Sequence, residues 1–322
     1  TPGHTPGSQC FLVDGHLVGF KAKNYLAGDG VHYEPRWFKP WPIGERTLLL
    51  KDGQSYPLGD IYFDCGGLKI GFEICEDAWV ANRPGSELAM KGVDVILNPS
   101  ASHFAFDKVD IRRQFVIEGS RAFSVAYIYS NLLGNEAGRM IYDGGALIAS
   151  GGKMLSAGPR FTFDDASLTI ADVNIDINRM NHARTGSFQP DVSDAAPFCV
   201  STPFAASPIP VSSVVKTTST ADLADWERST FRKEEEFRRA MTLGLFDYLR
   251  KSRSHGFVVS LSGGADSTAV SCLVALMAHR VLLDAGRDML NEKLGYIPGL
   301  TSAEDERAIV QRLLACAYQS TR

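Results

Sequence analysis

No C-x-x-C pair occurs among the six cysteines (Cys10, Cys65, Cys75, Cys199, Cys272 and Cys316), and no histidine stands at zinc-ligand spacing from them. A structural metal is therefore not expected, and isolated thiols in a chain of this length suit a reducing cytoplasmic setting in which one of them is kept for chemistry. Neither sign of charge is in excess: 33 Lys and Arg against 37 Asp and Glu leave a formal net charge of -4. Without a basic block there is no footprint for nucleic acid. No apolar run approaches the roughly 18 residues that span a bilayer, and the opening Thr1-Pro2-Gly3-His4 lacks the basic and apolar regions of a signal peptide. A membrane is not an expected partner. An initiator Met is also lacking, and the sequence stops at Ser320-Thr321-Arg322 just after a helix-like stretch. The expectation is a chain cut at both ends.

What is present is ordinary globular material, 44% hydrophobic and 22% charged over 322 residues, long enough for two domains. From residue 9 to about residue 190, β-rich runs at 9–13, 68–73, 93–97, 125–130 and 168–175 alternate with amphipathic stretches of helical length, an α/β pattern. Five prolines, Pro190, Pro197, Pro203, Pro208 and Pro210, then fall among Ser, Thr and Ala, which is linker chemistry. The expected organisation is a domain over 1–190, a linker over 191–225 and a second domain from 226. There Phe237, Met241, Leu245 and Leu249 recur every fourth residue, a buried-strand run ends at Leu261, and a helical pattern resumes through Ala269, Leu273, Leu276 and Met277.

Two segments carry chemistry. In Gly71-Phe72-Glu73-Ile74-Cys75-Glu76-Asp77-Ala78-Trp79 an apolar strand runs into a cysteine among polar residues, a junction that exposes a nucleophile. A thiol there is competent only if a nearby cation stabilises its thiolate, and a free cysteine read alone is more often an apolar filler. In Ser262-Gly263-Gly264-Ala265-Asp266-Ser267 a glycine turn links the strand to the next helix. Backbone N–H groups and the helix dipole favour an anion at that place, and the absence of Gly-Lys-Ser/Thr excludes a Walker loop.

The second segment resembles the PP-loop of the ATP pyrophosphatases, which split ATP into AMP and pyrophosphate while adenylating a carboxyl or carbonyl oxygen. The resemblance implies that Ser262, Gly263, Gly264, Asp266 and Ser267 hold the phosphates of ATP, with Asp266 close to the accompanying Mg2+. The first segment resembles the nitrilase superfamily in its glutaminase branch, around the nucleophilic cysteine of the glutamine-dependent NAD synthetases. Upstream, Lys21-Ala22-Lys23-Asn24-Tyr25-Leu26 is similar to the stretch that bears the superfamily's catalytic lysine, and Tyr33-Glu34-Pro35-Arg36-Trp37-Phe38 is similar to the run that follows it. That family forms a thioester between cysteine and glutamine, stabilises the tetrahedral intermediate with lysine and uses a glutamate base. By resemblance Cys75 is the nucleophile, Lys23 the lysine with Lys21 its competitor, and Glu34 a second glutamate orienting the amide. Every glutamate here follows Lys23, so the base has no occupant.

Further on, Asn98-Pro99-Ser100-Ala101-Ser102-His103-Phe104 resembles the loop that holds glutamine, with Ser102 its donor and Trp79 nearby. One of Lys108, Arg112 and Arg113 would face the substrate's α-carboxylate, and Lys108 is entered for that role. Asn131-Leu132-Leu133-Gly134 and Tyr142-Asp143-Gly144-Gly145 resemble core turns of the family. Taken together the resemblance implies a nitrilase-type α-β-β-α sandwich, incomplete at its start, followed by the start of a Rossmann-like PP-loop domain. It also implies conversion of nicotinate adenine dinucleotide, ATP and glutamine to NAD, AMP, pyrophosphate and glutamate, in a cytoplasmic homo-oligomer with ammonia passing between domains. A stand-alone amidase with an inert appendage and a catalytically incomplete fragment stay open as alternatives.

Overall fold

The structure is a computed structural model of the 322-residue chain, and it describes residues 8–28, 30–135, 140–191, 198–205 and 223–318. Both chain ends, Pro197, Pro208 and Pro210 of the expected linker, and Gln319 onwards lie outside the described residues.

The first half builds two sheets. Strands β1 (Ser8–Val13) and β2 (His16–Ala22) form a hairpin. After the short helix α1 (Glu34–Trp37) come β3 (Arg46–Lys51) and β4 (Gln54–Gly59), and the four strands lie in the order β1-β2-β4-β3. The second sheet takes β5 (Tyr62–Cys65), β6 (Leu68–Phe72), β7 (Val95–Ser100) and β8 (Ala126–Asn131), with helix α2 (Pro84–Met90) between β6 and β7 and α3 (Lys108–Ala122) between β7 and β8. Beyond β8 a small ladder, β9 (Leu133–Asn135) with β10 (Ile141–Asp143), precedes β11 (Ala146–Ser150) and β12 (Lys153–Ala157). Helix α4 (Ile175–Arg184) and strand β13 (Cys199–Thr202) complete this half, and the large sheet reads β12-β11-β8-β7-β6-β5-β13.

Physical chemistry makes these layers. The sheets face each other through Phe11, Phe63 and Phe72, with Phe11 stacked on Phe63 at 4.3 Å. On the other face Val116 of α3 and Leu88 of α2 pack on Ile96, Tyr127 and Leu147. Strands β6, β7 and β8 run parallel and are covered on both faces, which is why they read as near-continuous apolar runs.

The second half begins with a 3-10 turn at Asp225–Arg228 and continues with α5 (Arg232–Ser252), β14 (Phe257–Leu261), α6 (Ala265–Asp284), α7 (Gly286–Leu294), α8 (Glu306–Leu313) and β15 (Leu314–Tyr318), which pairs parallel with β14. A strand, glycine turn, helix and returning parallel strand make the opening unit of a doubly wound α/β fold. Its core includes Phe161 and Phe163 from the first half beside Leu243, Phe246, Met277 and Ile309.

Four expectations change. The run 168–175 forms no ladder, because it leaves the sheet edge after β12 with no strand beside it, and Leu168 is 83% exposed. The stretch 191–225 is not all linker, because Cys199–Thr202 pairs with β5 in the large sheet. On α5 the buried face runs through Glu236, Ala240, Leu243, Phe246 and Leu249, while Phe237 is exposed. A helix on a flank turns toward whatever packs there, and here buried charges belong to the packing. Last, α6 is long and apolar enough by composition to cross a bilayer, yet it packs between α5 and α8 and carries Arg280 at 1% exposure.

Candidate active site

Strand β6 ends at Phe72, and three residues later Cys75 takes φ +51 and opens a 3-10 turn over Cys75–Ala78. A non-glycine residue in that region is uncommon and is held by its surroundings. The holding group is Asp77. Buried at 0% exposure, its carboxylate accepts from the backbone N–H of Ile74 (2.8 Å) and of Tyr25 (2.9 Å). One side chain thus fastens the cysteine turn to the segment that leaves β2. Burial pushes its pKa up to about 6 against those two N–H bonds.

That segment brings Lys23, 2% exposed, to the same place, where its ammonium bonds Glu34 Oε2 at 2.5 Å. Glu34 Oε2 also accepts from Ala27 N–H at 2.7 Å. The competitor Lys21 is equally buried but is bound to Asp60 and to Asn24. Burial raises the pKa of the Cys75 thiol; the Lys23 ammonium and the Ala101 N–H oppose this, while the Glu34 and Glu76 carboxylates add to it. The cysteine therefore rests as a thiol beside a cation, and its proton must leave as it attacks.

Ala101 belongs to the loop after β7, so the Ser102 segment lies against the thiol. Ser102 is 3% exposed. Its backbone is clamped by the Asn131 amide (2.8 and 3.0 Å), and its Oγ accepts from Arg112 at 3.2 Å. Arg112 grips both oxygens of Asp143 at 2.7 and 2.9 Å, so of the three candidate cations Lys108, Arg112 and Arg113 it is committed to the interior. Lys108 stands over the Trp79 ring at 5.4 Å, and Trp79 rests edge-on against Phe115 at 5.2 Å. Below the cysteine, buried Glu73 is satisfied by Arg83 (2.6 Å), by Tyr127 Oη (2.5 Å) and by Gly85 N–H (2.8 Å).

Sequence reasoning named Cys75, Lys23, Glu34, Ser102, Trp79 and Lys108, and the fold places Lys23, Glu34 and the Ala101–Ser102 backbone around the thiol. It left out Asp77, because an acid beside Glu73 and Glu76 in one short segment does not show by itself which carboxylate turns inward. Asn131 and Asp143 were read as turn residues, and they hold the Ser102 loop by hydrogen bonds.

In the second half, Gly263 takes φ +81 and Gly264 caps α6. The hydroxyls of Ser262 and Ser267 lie 3.4 Å apart, Gly264 N–H donates to Ser262 Oγ at 3.3 Å, and Ser267 Oγ donates to Gly264 O at 3.2 Å. The loop forms a shallow bowl with Asp266 exposed in the first helical turn. Among the described residues no group of three or more His, Cys, Asp or Glu could hold a metal ion. A magnesium ion at Asp266 would have to take its remaining ligands from phosphate and water, which is how that ion is usually held.

A buried lysine paired with a half-buried glutamate beside a strand-end thiol, on two facing sheets with helices outside, is the arrangement of hydrolases that cleave carbon–nitrogen bonds through a cysteine. The carbon-nitrogen hydrolase family model matches residues 8–185, more than half of the chain, and the chain belongs to that family. Similar proteins include the glutamine-dependent NAD(+) synthetases of Oryza sativa subsp. indica (29% identical over 97% of this chain and 44% of the relative) and of Homo sapiens (29%, over 95% and 44%). The chain spans about 44% of the length of these relatives. The crystal structure of a glutamine-dependent NAD(+) synthetase from Cytophaga hutchinsonii is similar with a TM-score of 0.70 and 36% identity, over 98% of this chain and 44% of that one. The enzyme of the same name from Acinetobacter baumannii, solved in complex with ADP, shares the fold at a TM-score of 0.57 and 18% identity.

Proposed function

We propose that this polypeptide carries the glutamine-hydrolysing site and the ATP site of a glutamine-dependent NAD synthetase. The observation that carries the reading is the Lys23–Glu34 ion pair set against a half-buried thiol just after β6, in the same chain as a glycine-rich turn at the start of α6. Cys75 attacks the side-chain amide of glutamine. The Lys23 ammonium, held by Glu34, faces the oxyanion of the tetrahedral intermediate. Lys108 over Trp79 suits the substrate's α-carboxylate, because a cation already on an aromatic face is pre-positioned for an anion. The Ser102 segment lines the site by its backbone. Ammonia released there serves a second reaction in which ATP adenylates nicotinate adenine dinucleotide with loss of pyrophosphate and ammonia then displaces AMP; Ser262, Gly263, Gly264, Asp266 and Ser267 would cradle the phosphates, and Asp266 would help hold a Mg2+ ion that offsets their charge. Names of the relatives and the ADP complex of the Acinetobacter enzyme support both substrates.

The test has two arms. A glutamine-mimicking diazoketone should label Cys75, located by peptide mass spectrometry, and Lys23→Met should slow labelling at least tenfold; labelling at another cysteine would overturn the thioester assignment. ATP binding, followed with a fluorescent analogue, should be lost in Asp266→Ala combined with Ser267→Ala. ATP binding unchanged by those substitutions would instead favour an amidase with an inert appendage.

A further inference from the structure

Where the two halves meet there is a cleft of about 520 Å3, lined by both of them, a size within the range of small-molecule sites. At one end Arg239 of α5 and Arg280 of α6 line it, with Arg238 adjoining. Three guanidinium groups here share two carboxylates. Glu235 binds Arg238 (2.7 Å) and Arg239 (3.2 Å), and Asp284 binds Arg280 and, at 4.0 Å, Arg239. Glu227, which lines the same cleft, also acts on Arg239, so what this end lacks is hydrogen-bond partners rather than counter-charge.

The guanidinium groups lie where water compensates least. Arg280 is 1% exposed, and its Nη1 has no hydrogen-bond partner among the described residues, nor has Arg238 Nε. On the opposite wall the Thr162 hydroxyl is likewise buried and unpartnered. Part of the cost is offset by π faces: Arg239 stands 4.5 Å over Trp226, and Arg280 5.4 Å over Phe163. Burial and the neighbouring guanidinium groups push Arg280 down to about 9. Buried guanidinium N–H donors without acceptors are costly, and an anion in the cleft would accept from them.

We infer that the Arg239–Arg280 end of the interdomain cleft is a binding site for a small phosphoryl compound, distinct from the Cys75 and Ser262–Ser267 sites. A dianion is favoured over a monocarboxylate because one guanidinium fork already satisfies a carboxylate, whereas two guanidinium groups and a hydroxyl line this cleft. Because α5 and α6 both belong to the second half and Phe163 and Thr162 to the first, the ligand bridges the halves. The inference does not rest on the assignment of either substrate site.

The experiment uses the full chain, inorganic phosphate as probe and acetate as control. Phenylglyoxal modification, mapped by peptide mass spectrometry, should be at least fivefold slower at Arg239 and Arg280 in phosphate than in acetate, with Arg184 unaffected. Phosphate should also raise the melting temperature saturably in the wild type and in Asp266→Ala. In Arg280→Met the phosphate-dependent rise should be absent, and the variant without ligand should melt at or above the wild type, since a repelling charge has gone. If Arg280→Met does not fold, Arg239→Gln carries the same expectation of lost phosphate response. Equal protection in phosphate and acetate, or a phosphate response that survives in Arg280→Met or Arg239→Gln but vanishes in Asp266→Ala, would overturn the site.

Discussion

Asp77 shows how a single residue positions a reactive one. Its folded-state pKa of about 6 lies above the ordinary carboxylate value of 3.8, so the folded chain binds this proton more tightly than the unfolded chain. Its contribution to stability is then fully present below about pH 4 and is lost as pH rises to about 6, leaving a cost on the order of 3 kcal/mol at neutral pH. Asp77→Asn should escape that loss. Urea denaturation at pH 4.5 and 7.5 should show wild-type stability falling, relative to the variant, between the two; parallel curves would refute the buried-carboxylate account. Cys75 answers to charge in the same way. Lys23→Met removes the cation that opposes its raised pKa and leaves the Glu34 carboxylate facing it, so iodoacetamide alkylation of Cys75 at pH 8 should slow by several-fold, read as a shift of the rate–pH profile to higher pH. Both residues of that pair were legible, because the motif names their types. That the competitor Lys21 is held by Asp60, 39 positions away along the chain, was not legible in its own segment. The commitment of Arg112 to Asp143 was hidden for the same reason: a helix sequence does not reveal which of two adjacent arginines turns inward.

At the scale of elements, strands covered on both faces announced themselves and edges did not. The parallel strands β6, β7 and β8 fall on apolar runs read directly from the sequence, with bounds that differ by up to three residues. The run 168–175 has the same alternation but no neighbouring strand, and β13 is so short that its proline-rich surroundings masked it; pairing partners are properties of the fold, not of the segment. Glycines show the same dependence. Gly134 sits at φ +102 where an added Cβ would lie 2.1 Å from Asp247 Oδ2, whereas Gly53 at φ +74 in the β3–β4 turn meets open space. Gly53→Ala should cost about 1 kcal/mol from backbone strain alone, and Gly134→Ala roughly 2 kcal/mol or more because it also displaces a buried carboxylate. Equal costs in chemical denaturation would show that α5 yields freely at this contact.

For the whole molecule, the decisive feature is a buried chain of charges that crosses from one half to the other. Glu236 on α5 and Glu227 before it bond Arg160 at 3.0 and 2.8 Å, Arg160 bonds Asp143 at 2.9 Å, Asp143 holds Arg112, and Arg112 ends on the Ser102 loop beside the thiol. Three carboxylates converge on one guanidinium that is 4% exposed. Removing one member of such a buried set leaves the rest uncompensated, at a cost of about 3–5 kcal/mol. Arg160→Met should lose that much, and the loss should reach the cysteine site as well as the junction. Along the same junction Phe161 and Phe163 complete the core formed by Leu243, Phe246 and Met277, and Asp247 accepts the Asn135 N–H at 2.8 Å. The halves therefore melt as one unit: near-ultraviolet circular dichroism, which reports aromatic packing across the junction, should follow the same denaturation curve as the alkylation rate of Cys75, which reports the site. Arg160→Met should shift both curves together. A variant in which Cys75 becomes reactive at a denaturant concentration that leaves the junction intact would mean that the charge chain joins the halves structurally without bracing the site.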